Sequence, residues 1–199
     1  MKRYDRAYFD KWYRNPRTMI RSNAELRRKI AMVVAVAEVV LDRRIRSVLD
    51  VGCGEARWYT ELKKIRPNVR YIGLDTSEYS VEKFGSSRNV RYGSFEGLES
   101  QRLRGGFDVV VCADVLHYLE LEQIKEGLPE LVRLVRGAAY LDLAVREDEP
   151  EGDLRAWKDR PATWYRSLFV RHGLVDLGMQ CWGASEAKIY RCAMELRRT

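Results

Sequence analysis

Val48-Leu49-Asp50-Val51-Gly52-Cys53-Gly54-Glu55-Ala56 decides how this chain is read. A run of strand-forming residues leads into two glycines spaced i, i+2, and a helix-forming stretch follows at once. Glycines at such a turn let the backbone approach a ligand, and the helix after them presents unpaired N–H groups. The spacing also separates nucleotide classes. A dinucleotide fingerprint requires a third glycine three residues after the second, and Arg57 stands there. Nor does that fingerprint require the acid that precedes the first glycine by two residues, Asp50.

Outward from this loop, short β-rich runs at 47–51, 70–74, 89–92, 107–112 and 139–145 alternate with helical candidates near 56–65, 78–84 and 121–136. Apolar strands separated by helices predict a parallel sheet covered on both faces. After a helix over 161–172 closed by Gly173, two runs follow at 174–182 and 186–196. Only Gly183-Ala184-Ser185 separates them, too short for a crossover, so they are expected to pair antiparallel. Upstream, Tyr4, Tyr8 and Trp12 stand at i, i+4 and i+8, on one face of a helix. Asn15-Pro16 breaks it, and Ser22-Asn23-Ala24-Glu25 opens a second helix to about residue 42, with an apolar face running from Leu26 to Leu41.

With 199 residues, 46% hydrophobic and 33% charged, the composition fits one globular domain with a real core and argues against disorder. No apolar run approaches the roughly 18 residues of a membrane span, and the start leads into no secretory h-region. Cys53, Cys112, Cys181 and Cys192 form no CxxC pair, which argues against a disulfide scaffold or zinc site and fits a reducing cytoplasm. The net charge of +7 is local: residues 1–46 hold 13 Lys+Arg against 5 Asp+Glu, and the remainder 23 against 24. A nucleic-acid footprint usually spreads along a face, so nucleic acid is not the favoured partner, though a basic arm remains an alternative.

Asp75, in Tyr71-Ile72-Gly73-Leu74-Asp75-Thr76-Ser77, ends the next strand, 23 residues after Gly52. An acid there can accept hydrogen bonds from both hydroxyls of an adenosine ribose; a helix N-cap is the structural alternative. With both features in view, residues 46–196 resemble the class I S-adenosylmethionine-dependent methyltransferases. VLDVGCG is similar to that family's first motif and GLDTS to its second. Asn89–Phe95 and Phe107–Leu119 occupy the third- and fourth-strand motifs.

The resemblance implies an α/β, Rossmann-like doubly wound seven-stranded sheet, mostly parallel with an antiparallel last strand. It implies an N-terminal helical lid over 1–45 and an S-adenosylmethionine-binding domain over 46–199. Carried over by position, Asp50, Gly52, Cys53 and Gly54 would shape the pocket around the methionine portion, and Asp75 with Thr76 would hold the ribose. Ser94 and Phe95 would flank adenine. Cys112 would offer its carbonyl to the cofactor's ammonium, with Ala113 and Asp114 beside it. The sequence departs from the family at Ala56, where a third glycine is usual and where Ala is read as a good helix starter. It departs again at Ser94, where an acid is frequent and for which Glu96 is the nearby substitute.

Cys-Ala-Asp-Val-Leu-His after the fourth strand lacks the Asn/Asp-Pro-Pro-aromatic run of DNA amino-methylases and the Pro-Cys of cytosine C5-methylases. Asp114 has no adjacent acid of the kind that metal-dependent catechol methylases need. What remains resembles small-molecule O-, N- or C-methyltransferases, with His117 as candidate base or, alternatively, a packed histidine. His172, before Gly173, reads as a helix C-terminal residue. Tyr4, Tyr8 and Trp12 are lid or packing residues, and Arg21 a solvated base or a carboxylate partner. The acidic stretch 147–153 lies on the substrate side and suits a cationic acceptor or simply an exposed loop. Trp157, Trp164 and Tyr165 are pocket or core. The alternatives carried forward are an RNA or tRNA methyltransferase gripping phosphate with the N-terminal arm, and a non-catalytic cofactor-binding domain.

Overall fold

The computed structural model describes residues 4–18, 22–149 and 153–184. Seven strands form one sheet in the order β3-β2-β1-β4-β5-β7-β6. The strands are β1 Ser47–Val51, β2 Arg70–Asp75, β3 Val90–Tyr92, β4 Phe107–Ala113, β5 Val135–Asp142, β6 Leu174–Gly178 and β7 Cys181–Ala184. The first five run parallel, and β7 is antiparallel to both β5 and β6. From β1 the chain winds outward through β2 to β3, then returns to place β4 on the other side of β1. That reversal opens a crevice at the carboxyl ends of β1 and β4, where open α/β sheets take their ligands.

Both faces are covered, which is why the strands are apolar throughout instead of alternating. On one face α2 (Asn23–Leu41), α3 (Arg57–Ile65) and α4 (Glu78–Arg88) pack through Ile30, Val33, Trp58, Leu62 and Phe84. On the other, α5 (Leu121–Leu134) and α6 (Ala162–Arg171) pack through Leu128, Leu131, Leu168 and Phe169. The helix starts follow their caps: the Ser22 and Ser77 side chains accept from the N–H groups of Glu25 and Ser80. No helix among the described residues is long and apolar enough to cross a membrane.

Three expectations shift. β5 begins at Val135, directly from α5, four residues earlier than its β-rich core suggests, and ends at Asp142. Beyond it Val145 N–H turns away to the Asp148 carboxylate. The terminal hairpin closes at Met179-Gln180, not at Gly183-Ala184-Ser185. Met179 and Gln180 both hold positive φ (51° and 63°), the left-handed pair whose twist matches a two-residue hairpin. Trp182 thereby enters the core, 6% exposed; the run 186–196 lies outside the described residues. Finally, α1 (Arg6–Phe9) widens into a π turn over Asp10–Arg14, so the aromatic face rotates and Phe9 becomes its buried residue.

Candidate cofactor and acceptor site

The glycine loop leaves β1 with Gly52 at φ 72° and Gly54 at φ 53°. A Cβ on Gly52 would lie 2.2 Å from Val115 Cγ2, so the Val115 side chain after β4 packs directly against the bare backbone of the loop. Ala56 is the third left-handed residue, φ 52°, and precedes α3 as its cap. It therefore does not start the helix, as expected, but occupies the conformation for which glycine is usual, at a cost of about 1 kcal/mol.

Asp50 is 2% exposed and accepts a hydrogen bond from Tyr71 Oη at 2.6 Å. Burial pushes its carboxyl up to about 7, opposed by the Tyr71 bond and reinforced by the neighbouring charge of Asp75. Asp75, also buried, accepts from Gly54 N–H at 2.6 Å and from Ser77 N–H at 2.8 Å. It thus ties the end of β2 to the glycine loop and to the start of α4. Burial raises its pKa, and these backbone bonds oppose the rise.

Two cavities flank the loop. The smaller, about 70 Å³, is lined by Asp50, Gly52, Cys53, Ala113 and Asp114, with Trp58 and Leu26 behind. The larger, about 350 Å³, lies over the ends of β4 and β5, between Asp114, His117 and Tyr118 on one side and Asp142, Leu143 and Ala144 on the other. Tyr8, Trp12 and Tyr13 cover it from the N-terminal segment, and Asp148, Asp153 and Trp157 from the loop after β5. Tyr13, Arg57 and Asp114 line both cavities and form the wall between them.

The structure thus brings Asp50, Gly52, Cys53, Ala113 and Asp114 together, and sets His117 beside them. The other expected cofactor residues line neither cavity. Phe95 is 3% exposed and packed on Gly127 of α5, so its ring is spent on the core and not on a ligand. Cys112 is fully buried within β4. Ser94 Oγ accepts from Gly97 N–H, Glu96 accepts from Gln123, and Thr76 is exposed. Over Gly54 and Asp75 lies the N-terminal segment itself. Phe9 reaches to 3.0 Å from where a Gly54 Cβ would be and stacks on Tyr79, while Ser77 Oγ donates to Tyr4 O. Arg14 pairs with Glu55.

His117 is 3% exposed in a 3₁₀ turn, Leu116–Tyr118. Its Nδ1 accepts from Ala144 N–H at 3.1 Å, so the neutral ring carries its proton on Nε2. The lone pair that a base needs is thereby committed to an amide. Of the three tryptophan and tyrosine candidates, Trp157 lines the larger cavity, whereas Tyr165 is core and Trp164 packs against it under Arg160. His172 caps α6, its Nδ1 2.9 Å from Leu168 O and Gly173 following at φ 85°. Arg21 lies outside the described residues, as do residues 150–152 of the acidic stretch.

Sequence reasoning missed Tyr13, Lys29, Arg57 and Asp142. Arg57 carried one signal, its place at the start of the helix after the glycine loop. Lys29 and Asp142 carried none, since their ion pair at 3.2 Å joins positions 113 residues apart.

Residues 49–141 match the family model described as a methyltransferase domain. No curated protein matches the chain in sequence. Among solved structures, it is similar to a SAM-dependent methyltransferase from Archaeoglobus fulgidus (TM-score 0.62, 17% identity, 85% of this chain and 74% of that one). It is also similar to the magnesium protoporphyrin IX methyltransferase of Synechocystis PCC 6803 with bound SAH (TM-score 0.60, 18% identity, 86% of each chain). An O-methyltransferase family protein from Burkholderia thailandensis gives a TM-score of 0.52 at 20% identity over 82% of this chain. The chain spans 59% of that protein's length. At these identities the neighbours establish the fold.

Proposed function

We propose, from the premise that residues 49–141 are a methyltransferase domain on the class I fold, that this protein is an enzyme moving a methyl group from S-adenosylmethionine to a small-molecule acceptor in the cytoplasm. The observation that carries the reading is the pair of cavities sharing Tyr13, Arg57 and Asp114 at the crevice between β1 and β4. Such a pair holds donor and acceptor edge to edge, and positioning supplies much of the catalysis in a methyl transfer.

The residues present suit the cofactor. Asp50 and Asp114 would face its cationic methionine end, Arg57 its carboxylate, and Asp75 its ribose hydroxyls once released from Gly54 N–H. Ser94 and Phe95 would meet adenine through their backbone only. When bound, S-adenosylmethionine supplies a methyl group on a sulfonium: the acceptor's lone pair forms the new bond, and the C–S pair stays on sulfur as the thioether departs. Residues 4–14 act as the lid, whereas α2 belongs to the covering of the sheet. His117, its Nδ1 held by Ala144 N–H, lines the larger cavity and positions the acceptor rather than acting as its base.

Calorimetry with S-adenosylhomocysteine tests this, with NADH as comparison and Asp75→Ala as control. Micromolar binding that Asp75→Ala weakens at least tenfold, with NADH silent, is the expected result. A folded protein that ignores S-adenosylhomocysteine, or takes NADH as well, sinks the proposal.

A further inference from the structure

The carboxyl ends of the strands hold the crevice; the opposite end of the sheet carries a different chemistry. We propose that this amino end docks on an anionic phospholipid surface, through exposed arginines at the starts of β1, β2, β4 and β5. The proposal does not depend on the reading of the crevice, which opens at the other end of the strands.

Arg44 and Arg46 lead into β1, Arg70 opens β2, Arg102 and Arg104 lead into β4, and Arg136 is the second residue of β5. All six are exposed. The fold brings them together from distant parts of the chain. Arg70 N–H donates to Arg46 O at 2.9 Å, and the Arg70 guanidinium reaches past β1 to lie 5.3 Å from the Phe107 ring at the start of β4. Arg136 lies along the turn before β4, its Nη2 3.1 Å from where a Gly105 Cβ would stand and its Cγ 2.7 Å from that point on Gly106. Neighbouring strands stand about 5 Å apart, so β2, β1, β4 and β5 spread this positive charge over about 15 Å.

The carboxylates at this end are already taken. Asp108 pairs with Arg43, Glu38 with Arg66 and Glu130 with Arg133. None of the six arginines has an ion pair among the described residues. Against them stand the exposed Asp42 and Glu99. Helix capping does not use them either: Asp42 N–H closes α2 on Glu38 O, and Arg66 N–H closes α3 on Leu62 O. Arg102 even holds φ 47°, a conformation that glycine takes without strain. An excess of guanidinium charge left open to water favours an anionic partner, and the arginine fork matches phosphate oxygens.

The apolar side chains decide which phosphate. Val39, Ile65 and Val170, 71%, 37% and 59% exposed, stand in the last turns of α2, α3 and α6, the helix ends that feed this same end of the sheet. Basic groups among exposed aliphatic ones suit a lipid interface, where the first meet headgroups and the second enter the acyl boundary. A single-stranded nucleic acid asks instead for exposed rings on which bases stack. The one exposed large aromatic among the described residues, Tyr92, ends β3 at the opposite end of the sheet. Docked this way, the crevice faces water.

The test is co-sedimentation of the full chain with vesicles of phosphatidylcholine alone and with vesicles in which about a third of the lipid is phosphatidylglycerol. The protein is expected on the acidic vesicles at low salt and not on the neutral ones, and it should leave them as salt rises. An arginine at such a surface is worth about fivefold in binding, so Arg44→Gln, Arg46→Gln and Arg104→Gln together should weaken it at least about tenfold. Arg44→Gln alone, at about fivefold, keeps the test decisive should the triple variant fold poorly. Removing the same charge from exposed helix positions, by Arg28→Gln, Lys125→Gln and Arg166→Gln, should cost about threefold or less, which separates a docking face from general attraction. Val39→Ser should weaken vesicle binding by about threefold and leave binding of a short RNA duplex unchanged. Equal binding to neutral vesicles overturns the proposal, as does wild-type binding by the first triple variant or an equal loss in the second. RNA that binds more tightly than the acidic vesicles at equal phosphate overturns it in favour of a nucleic acid.

Discussion

Asp108 and Asp50 are buried to the same degree, 1% and 2% exposed, at opposite ends of the central strands. Asp108, at the N-terminal end of β4, is fully answered. Arg43 grips it with two nitrogens at 2.8 and 3.0 Å, and Arg46 N–H adds a third bond at 2.5 Å. Burial works to raise its pKa, but the Arg43 and backbone bonds prevail and hold the carboxyl below its usual range. Asp50, near the C-terminal end of β1, accepts from Tyr71 Oη and has its carboxyl raised by burial to about 7. One end of the sheet spends its acid on holding the fold. The other buries its acid beside a cavity with a tyrosine hydroxyl for donor, an arrangement that suits the cationic end of the proposed cofactor.

The largest expected effect comes from erasing the second case. Between about pH 4, where the unfolded Asp50 loses its proton, and about pH 7, where the folded one does, the native state holds the extra proton. Stability from this group is therefore full at low pH and falls as pH rises to 7. Asp50→Asn removes that loss, and the apo protein should gain about 2–3 kcal/mol at pH 8 and nothing at pH 4. Urea midpoints at the two pH values check it; affinity for S-adenosylhomocysteine should fall in the same variant.

Breaking the first case has the opposite sign. Arg43→Ala should cost about 2 kcal/mol at pH 7, less than a fully buried pair because Arg43 is 34% exposed. Asp108's contribution is present above the unfolded pKa and is lost as pH falls through its lowered folded value, so the two proteins should converge in acid.

His117 sharpens the contrast, since it is satisfied although it lies at the binding end. Once an acceptor is in hand, His117→Gln should lower kcat/KM only about fivefold, the worth of one hydrogen bond, against the roughly 10²–10⁴ of a lost base. An acid limb in the wild-type pH profile, with kcat/KM falling as His117 is protonated, that this variant alone abolishes would restore the base. The smallest change is at Ala56. Ala56→Gly relieves a left-handed alanine and should raise the thermal midpoint by a few degrees, about 0.5–1 kcal/mol, without altering either aspartate.

What the sequence disclosed follows range. The left-handed turn at Gly52 and Gly54 was legible because two glycines spaced i, i+2 after an apolar strand need nothing beyond a few neighbouring residues to be read. Apolar strands separated by helices foretold the sheet and its covering. The hairpin turn was misread because Gly183-Ala184-Ser185 has turn composition and Met179-Gln180 does not; the pairing of Trp182 with the core outweighs that local preference. Ala56 was misread because a helix-forming residue at a helix start gives no hint of a positive φ. Tyr13, Lys29 and Asp142 join the site only through packing, and no local pattern announces a partner a hundred residues away.

Phe9 stands over Gly54 in the closed segment, stacked on Tyr79. On the proposed function, the nucleoside end of S-adenosylmethionine would compete with a side chain of the protein itself. An apparent Kd would then be the intrinsic one divided by the fraction of molecules in which residues 4–14 stand clear, and a one per cent open population would weaken binding about a hundredfold. On that reading, affinity would be set in part by how well a phenylalanine likes its place.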